Sequence, residues 1–204
     1  MTRCAAGGCG GAATRLAQAA LALVIALSPA VATRAALTPS AGVHSDSERV
    51  LERRVKAAFL YRFTEFVTWP EAAFARADSP FTIVVVGRDG AADALRNITA
   101  GRTVQGRTVE VRRIGEGETV PAAQMMFIPD SEKARLREWI RQAPRQALVV
   151  TESEDALTQG SVINLLLVEG RVRFEISLEA AEKRGLRMSS RLLAIAQGVR
   201  TGTP

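Results

Sequence analysis

Four residues near the C-terminus carry the sequence's best chemistry. In GLRMSSRLL, Arg187 and Arg191 flank Ser189 and Ser190 where a helix should begin. A helix N-terminus offers free backbone N–H groups and the positive end of a dipole, so a carboxylate or phosphate suits it. Arginine adds bidentate donors for the same anions. The plainer reading is a serine-capped helix whose arginines pair with Glu175 or Glu179. A second set lies upstream in RVRFEIS, where Arg171, Arg173 and Glu175 alternate with Val172, Phe174 and Ile176. In a strand the charged set occupies one face. That face is either solvated or open to a partner by strand pairing and charge complementarity.

Other chemistries are missing. The only histidine, His44, lies in a polar stretch ahead of the first apolar periodicity, and the two cysteines, Cys4 and Cys9, fall in the leader. The folded part therefore has no Ser-His-Asp or Cys-His arrangement and no Cys/His zinc set. There is no GxxxxGK[ST] and no GxGxxG; GRDG after an apolar run reads as a tight turn. No acid sits at a spacing that argues for paired carboxylates. The expectation is a protein that is not an enzyme and needs no cofactor or metal.

The leader sets the compartment. Arg3 and Arg15 precede a nearly continuous apolar run, Leu16 to Leu27, and Ala30-Val31-Ala32 supplies a small-residue cleavage site. We expect a signal peptide over residues 1–36, cleaved after Ala32, a flexible spacer over 37–50, and one domain over 51–200. The apolar run is too short for a stable span. Export of the chain is the expectation. The chain has 27 basic and 21 acidic residues, +6; without Arg3 and Arg15 the balance is 25 to 21, or +4. The charges are interleaved, as in SEKARLRE, with no one-sided basic stripe for nucleic acid.

The elements that position these residues follow from periodicity. Glu48 to Val67 reads as a helix with Val55, Phe59, Phe63, Phe66 and Val67 on its apolar face. Phe59, Phe63 and Phe66 are expected in the core. Tyr61 and Trp69 lie off the helical stripe and are expected at a surface or cleft wall. Pro70 stops the helix and pushes Trp69 to extended backbone. Phe81 to Val86, AQMMFIPD and QALVVTE read as buried strands, with helices over Asp89 to Ile98 and Ser131 to Arg141, and a short one from Ser153 to Leu157. GRTVQGRTVEVRRI reads as a strand with Val109, Val111 and Ile114 on its apolar side. Such alternation predicts parallel βαβ units. SVINLLLVEGRVRFEIS predicts a hairpin turning at Glu169-Gly170. Ser177 should cap LEAAEKR, which Gly185 closes, and RLLAIAQGV should be a last helix. The predicted architecture is a single three-layer Rossmann-like α/β domain, mainly parallel, with an antiparallel C-terminal edge hairpin.

Three segments, KAAFLYRFTEFVTWP, FTIVVVGRDG and INLLLVEGRVRFEISLEAAEKRGLRMSSRLLAIA, resemble the YfiR-like family of periplasmic regulators. That family pairs a KAAFLxxFxxFxxWP opening with a GRVRFEIN…GLxxSSxLL ending. The resemblance implies an α/β domain, usually dimeric and without catalysis. It implies binding to the periplasmic part of a membrane-anchored diguanylate cyclase, with repression of cyclic di-GMP synthesis and biofilm formation. It further implies capture by an OmpA-like outer-membrane lipoprotein. The disulfides of some relatives have no counterpart in the mature chain. Trp69, Arg171, Arg173, Glu175, Arg187, Ser189, Ser190 and Arg191 are the expected contact residues. The alternative is a small-molecule receptor in which Trp69, Arg187 and the last helix's N-terminus hold an anionic metabolite.

Overall fold

The computed structural model describes residues 41–88 and 90–202. The expected signal peptide, the first residues of the spacer, and Asp89 lie outside the described residues.

The first helix, α1 (Ala41–Phe66), begins seven residues earlier than Glu48. Its core face is Ala57, Leu60, Phe63 and Thr64, all buried. Phe59 and Phe66 only flank that core as partly buried residues. The chain then passes into β1 (Val67–Thr68) and a 3-10 turn at Glu71–Ala73. The next strand, β2 (Phe81–Val86), is buried at every position, as continuous apolarity requires of a strand covered on both faces. It leads into α2 (Ala91–Thr99).

β3 (Thr103–Val104) and β4 (Arg107–Ile114) form a hairpin closed by Gln105 and Gly106, both with positive φ, the geometry of a two-residue primed turn. Val109 and Val111 face the core that contains α1, but Ile114 faces the opposite core. The three were expected on one side. Strand side chains alternate with period two, so position 114 must oppose 109 and 111.

β5 (Met125–Ile128) is followed by a 3-10 helix, Asp130–Arg135, that becomes α3 (Leu136–Gln142). The expected continuous helix from Ser131 is thus split, with Leu136, Trp139 and Ile140 inward as foreseen. β6 (Leu148–Thr151) precedes a 3-10 segment at Ala156–Gln159, in place of the expected short helix from Ser153. β7 (Ile163–Val168) and β8 (Arg171–Ser177) form the C-terminal hairpin, turning on Glu169 and Gly170 at φ 50° and 72°. α4 (Leu178–Lys183) is capped by Ser177, whose hydroxyl accepts from the Ala180 N–H at 3.2 Å. Gly185, φ 69°, closes it: its N–H reaches the Glu182 carbonyl and that of Leu186 the Ala181 carbonyl, a Schellman pattern. β9 (Arg187–Met188), α5 (Ser190–Ile195) and β10 (Gly198–Arg200) complete the chain. The expected last helix ends early, and its Gly-Val becomes strand.

Eight strands lie in one mostly parallel sheet of order β10-β8-β7-β6-β5-β2-β4-β3, while β1 and β9 pair separately. β4-β2-β5-β6-β7 are mutually parallel, and β7-β8 antiparallel. β10 then adds parallel to β8 beside Glu175, Ile176 and Ser177. The hairpin was expected at the sheet's edge. The β7-β8 hairpin is consistent with that, the first half of β8 being open, while β10 covers its second half, where the Gln197 N–H donates to the Phe174 carbonyl at 2.8 Å. Two cores result, one on each face. The larger joins Phe81, Phe127, Leu165, Phe174 and Ile176 to α1, α2, α4 and α5. The smaller places Leu136, Trp139 and Ile140 against Val84, Met126 and Val149.

Candidate functional site

Trp69 was expected at a surface, and the structure corrects this: the residue is 6 % exposed. Its indole meets Phe81 edge-on at 4.8 Å, and its Nε1–H donates to the Gln124 carbonyl at 2.7 Å. The physical reason is a change of period. The helix stops at Phe66 and the chain continues as strand, so Val67 and Trp69 share the inward side. Extending the helical stripe past Phe66 misplaces the indole. Gln124 anchors the same point, accepting from the Thr82 N–H at 2.8 Å. Trp69 still touches a depression with Phe74, Arg76, Gln105 and Arg107, but that depression contains neither Arg187 nor any residue of α5. Tyr61 is half-buried, with the Arg102 guanidinium 5.2 Å above its ring.

The SSR region is a structural junction. The Ser189 hydroxyl accepts from the Leu192 N–H at 3.3 Å, and the Ser189 N–H donates to the Phe66 carbonyl at 2.9 Å, tying α5 to the end of α1. With its hydroxyl spent on the cap, and only six residues in α5, the segment makes a poor anion cradle. Ser190, Arg187 and Arg191 are exposed. Arg187 pairs across the ribbon with Thr68, not with an acid.

The β8 set behaves differently. Val172, Phe174 and Ile176 join the α1-side core, as alternation predicts. Arg171 and Arg173 are exposed and Glu175 half-buried. Among the described residues, Arg171, Arg173, Arg187 and Arg191 form no ion pair within 4.0 Å, and Glu179 takes Lys183 instead. The expected pairing of these arginines with Glu175 or Glu179 is therefore not what the fold provides. Arg171 and Arg173 line an open groove of about 680 Å³ with Leu51, Val55, Leu167 and Val172. Leu51 and Leu167 are 62 % and 61 % exposed. The groove contains none of Arg187, Ser189, Ser190 or Arg191, so the structure does not unite the two arginine sets in one depression.

Sequence reading missed the α1 half of this groove. Leu51 carries an apolar side chain off the stripe that Ala57, Leu60 and Phe63 define, which is the one local signal available. It also missed an ion-pair bridge beneath the groove. Lys56 pairs with Glu52 at 2.6 Å and with Glu152, whose side chain is 8 % exposed. Burial works against the Lys56 charge, yet the hydrogen bonds and charges of Glu152 and Glu52 outweigh it and hold the ammonium pKa above its ordinary value. The bridge ties α1 to the loop after β6. No group of three or more His, Cys, Asp or Glu suited to a metal occurs among the described residues. Nor is any described helix long and apolar enough to cross a membrane.

No curated protein matches the chain. A solved structure, a conserved domain protein from Vibrio cholerae O1 biovar El Tor strain N16961, is similar at 15 % identity and a TM-score of 0.45. The match covers 58 % of this chain and spans only 54 % of that protein's length. The YfiR/HmsC-like family pattern matches residues 53–197, from the α1 core stripe to the residue that docks β10 onto β8. The chain belongs to the YfiR/HmsC-like family.

Proposed function

We propose that this protein is a non-enzymatic periplasmic regulator that holds off a membrane-anchored diguanylate cyclase by binding its periplasmic part. One observation carries the reading: exposed Leu51 and Leu167 stand beside the unpaired Arg171 and Arg173 at the uncovered end of β8. Interfaces favour apolar surface flanked by arginine, and an unpaired guanidinium is a ready partner for a carboxylate. The Val172 backbone faces the same open edge as Phe174, whose carbonyl is already taken by Gln197, so a partner strand could extend the pairing. Repression requires tighter binding to the inactive cyclase than to the active one.

A homodimer and an OmpA-like lipoprotein competing for the regulator complete the scheme. The fold is read as three-layer and Rossmann-like, on the strand order β4-β2-β5-β6-β7 with helices over both cores. The test is cellular cyclic di-GMP in a deletion strain. Its level should rise, fall again with the exported chain, and stay high with a leaderless chain or with Arg173→Glu. An unmoved level removes the repressor reading. Restoration by Arg173→Glu removes the groove.

A further inference from the structure

Sheet edges carry unpaired backbone groups, and folded proteins blunt or cover them. The margins of the large sheet differ in this respect. At the β4 end, β3 pairs with Arg107 and Thr108 only, but the rest of β4 is guarded. Arg96 Nε–H donates to the Val111 carbonyl at 3.4 Å, and Arg112 and Glu110 pair with each other at 2.8 Å. At the opposite end β10 is three residues long and pairs with Glu175, Ile176 and Ser177. The first half of β8 has no strand beside it.

Backbone parity fixes what that half presents. The Ser177 N–H donates to the Val162 carbonyl on the β7 side at 2.9 Å, and the Phe174 carbonyl accepts from Gln197 on the β10 side. Neighbouring residues of a strand direct their backbone groups to opposite sides. Val172, two before Phe174, therefore presents its N–H and C=O to the open edge, while Arg171 and Arg173 direct theirs to β7.

The side chains add a matching pattern. Leu167 lies opposite Val172 in the β7-β8 register, and both line the groove with Leu51 and Val55. Arg171 and Arg173 alternate with Val172 and flank it. Of the acids lining the groove, Glu52 is engaged by Lys56 at 2.6 Å, which leaves Glu48 against two arginines. A strand laid along this edge sets its alternate side chains over the same two sets. A second copy of β8 does not fit. Paired antiparallel about Val172 it opposes Arg171 to Arg173 twice, and like charges directly opposite destabilise. Carboxylates fit, because guanidinium donates to them in pairs.

We infer that the open half of β8 receives an extended segment of a partner protein by strand addition, with an apolar residue over Leu51, Leu167 and Val172 and an acidic residue on each side of it, facing Arg171 and Arg173. Such an occupant rests on the reading of the β8 groove as the docking surface for a partner. The test is an amide-resolved NMR titration of the purified exported protein with the end-blocked peptide Val-Glu-Val-Glu-Val. Saturable shifts should centre on residues 167–173, and the Val172 amide proton should exchange more slowly as its N–H gains an acceptor. Two controls should bind several-fold more weakly. One is Val-Lys-Val-Lys-Val; the other is the parent peptide N-methylated at its central valine, which keeps the charge and loses a ladder bond. The double variant Arg171→Glu, Arg173→Glu should exchange the preference and favour the lysine peptide, which a misfolded protein would not do. Equal binding of the N-methylated peptide, the absence of localised shifts, or a double variant with unchanged preference would overturn the assignment. The cyclase reading is judged apart from it. Peptide binding with an unmoved cyclic di-GMP level in the deletion strain keeps the edge site and removes the cyclase, and a raised level without peptide binding does the reverse.

Discussion

The centre of the large sheet and its β7-β8 hairpin are built on opposite terms. At its centre β2, β5 and β6 are buried residue by residue, with helices over both faces. At the β7-β8 hairpin burial fades along the strand, until Leu167, Val168 and Arg171 stand in solvent. The centre presents no exposed side chain to a partner, and its burial contributes to stability. The hairpin tip contributes little to stability, and its free arginines and leucines have no structural duty that would forbid another use. Position in the sheet separates the two roles more sharply than residue type does.

The largest effect should come from the central core. Phe63 contacts Phe174 at 5.1 Å and Phe59 at 6.0 Å between ring centres. Phe63→Ala should cost about 3–5 kcal/mol in chemical denaturation. A loss below about 1 kcal/mol would mean that the aromatic cluster is not the keystone between α1 and β8.

Next comes the bridge between the two regions. Glu152→Gln leaves Lys56 with Glu52 alone and should cost about 1.5–3 kcal/mol near neutral pH. Because the folded-state pKa of Lys56 is raised, its stabilisation is fully present below the ordinary lysine pKa of 10.5 and is lost as pH climbs through the higher folded value. The wild-type stability curve should therefore fall on the alkaline side more steeply than that of Glu152→Gln. Parallel curves would show that the pair is not coupled to folding.

The hairpin turn should respond modestly. Gly170 has φ 72°, and a Cβ added there would meet nothing within 4 Å, so Gly170→Ala incurs only the left-handed backbone penalty, about 1 kcal/mol. The smallest effect belongs to the tip. Leu167→Ala should change stability by less than about 0.5 kcal/mol. A larger loss would place Leu167 in the folded core's service and weaken the contrast between the two regions.

Much of the scaffold is readable in the sequence for local reasons. The unbroken apolarity of Phe81 to Val86 demands cover on both faces, and the alternation of Val172, Phe174 and Ile176 demands one core face. Ser177, Ser189 and Gly185 announce helix ends by chemistry confined to a few residues. The misreadings share one cause, a period carried past its element. Helical spacing misjudges Trp69, which already belongs to extended chain, and Ile114 is grouped with valines of opposite parity. The β10 pairing is invisible in the sequence because three residues of modest strand character are fixed only by the β8 edge they meet.

The sequence by itself determined the parallel core, the hairpin turn and the helix caps, since burial pattern, positive-φ residues and cap chemistry act over short spans. Only the tertiary structure decided which charges are left over. It joined Lys56 of α1 to Glu152, far along the chain, and left Arg171 and Arg173 beside Leu51 and Leu167 with no ion pair among the described residues. It also turned the Ser153 hydroxyl toward no partner among the described residues. Ion pairing and desolvation depend on distances across the fold, and no local pattern encodes those distances.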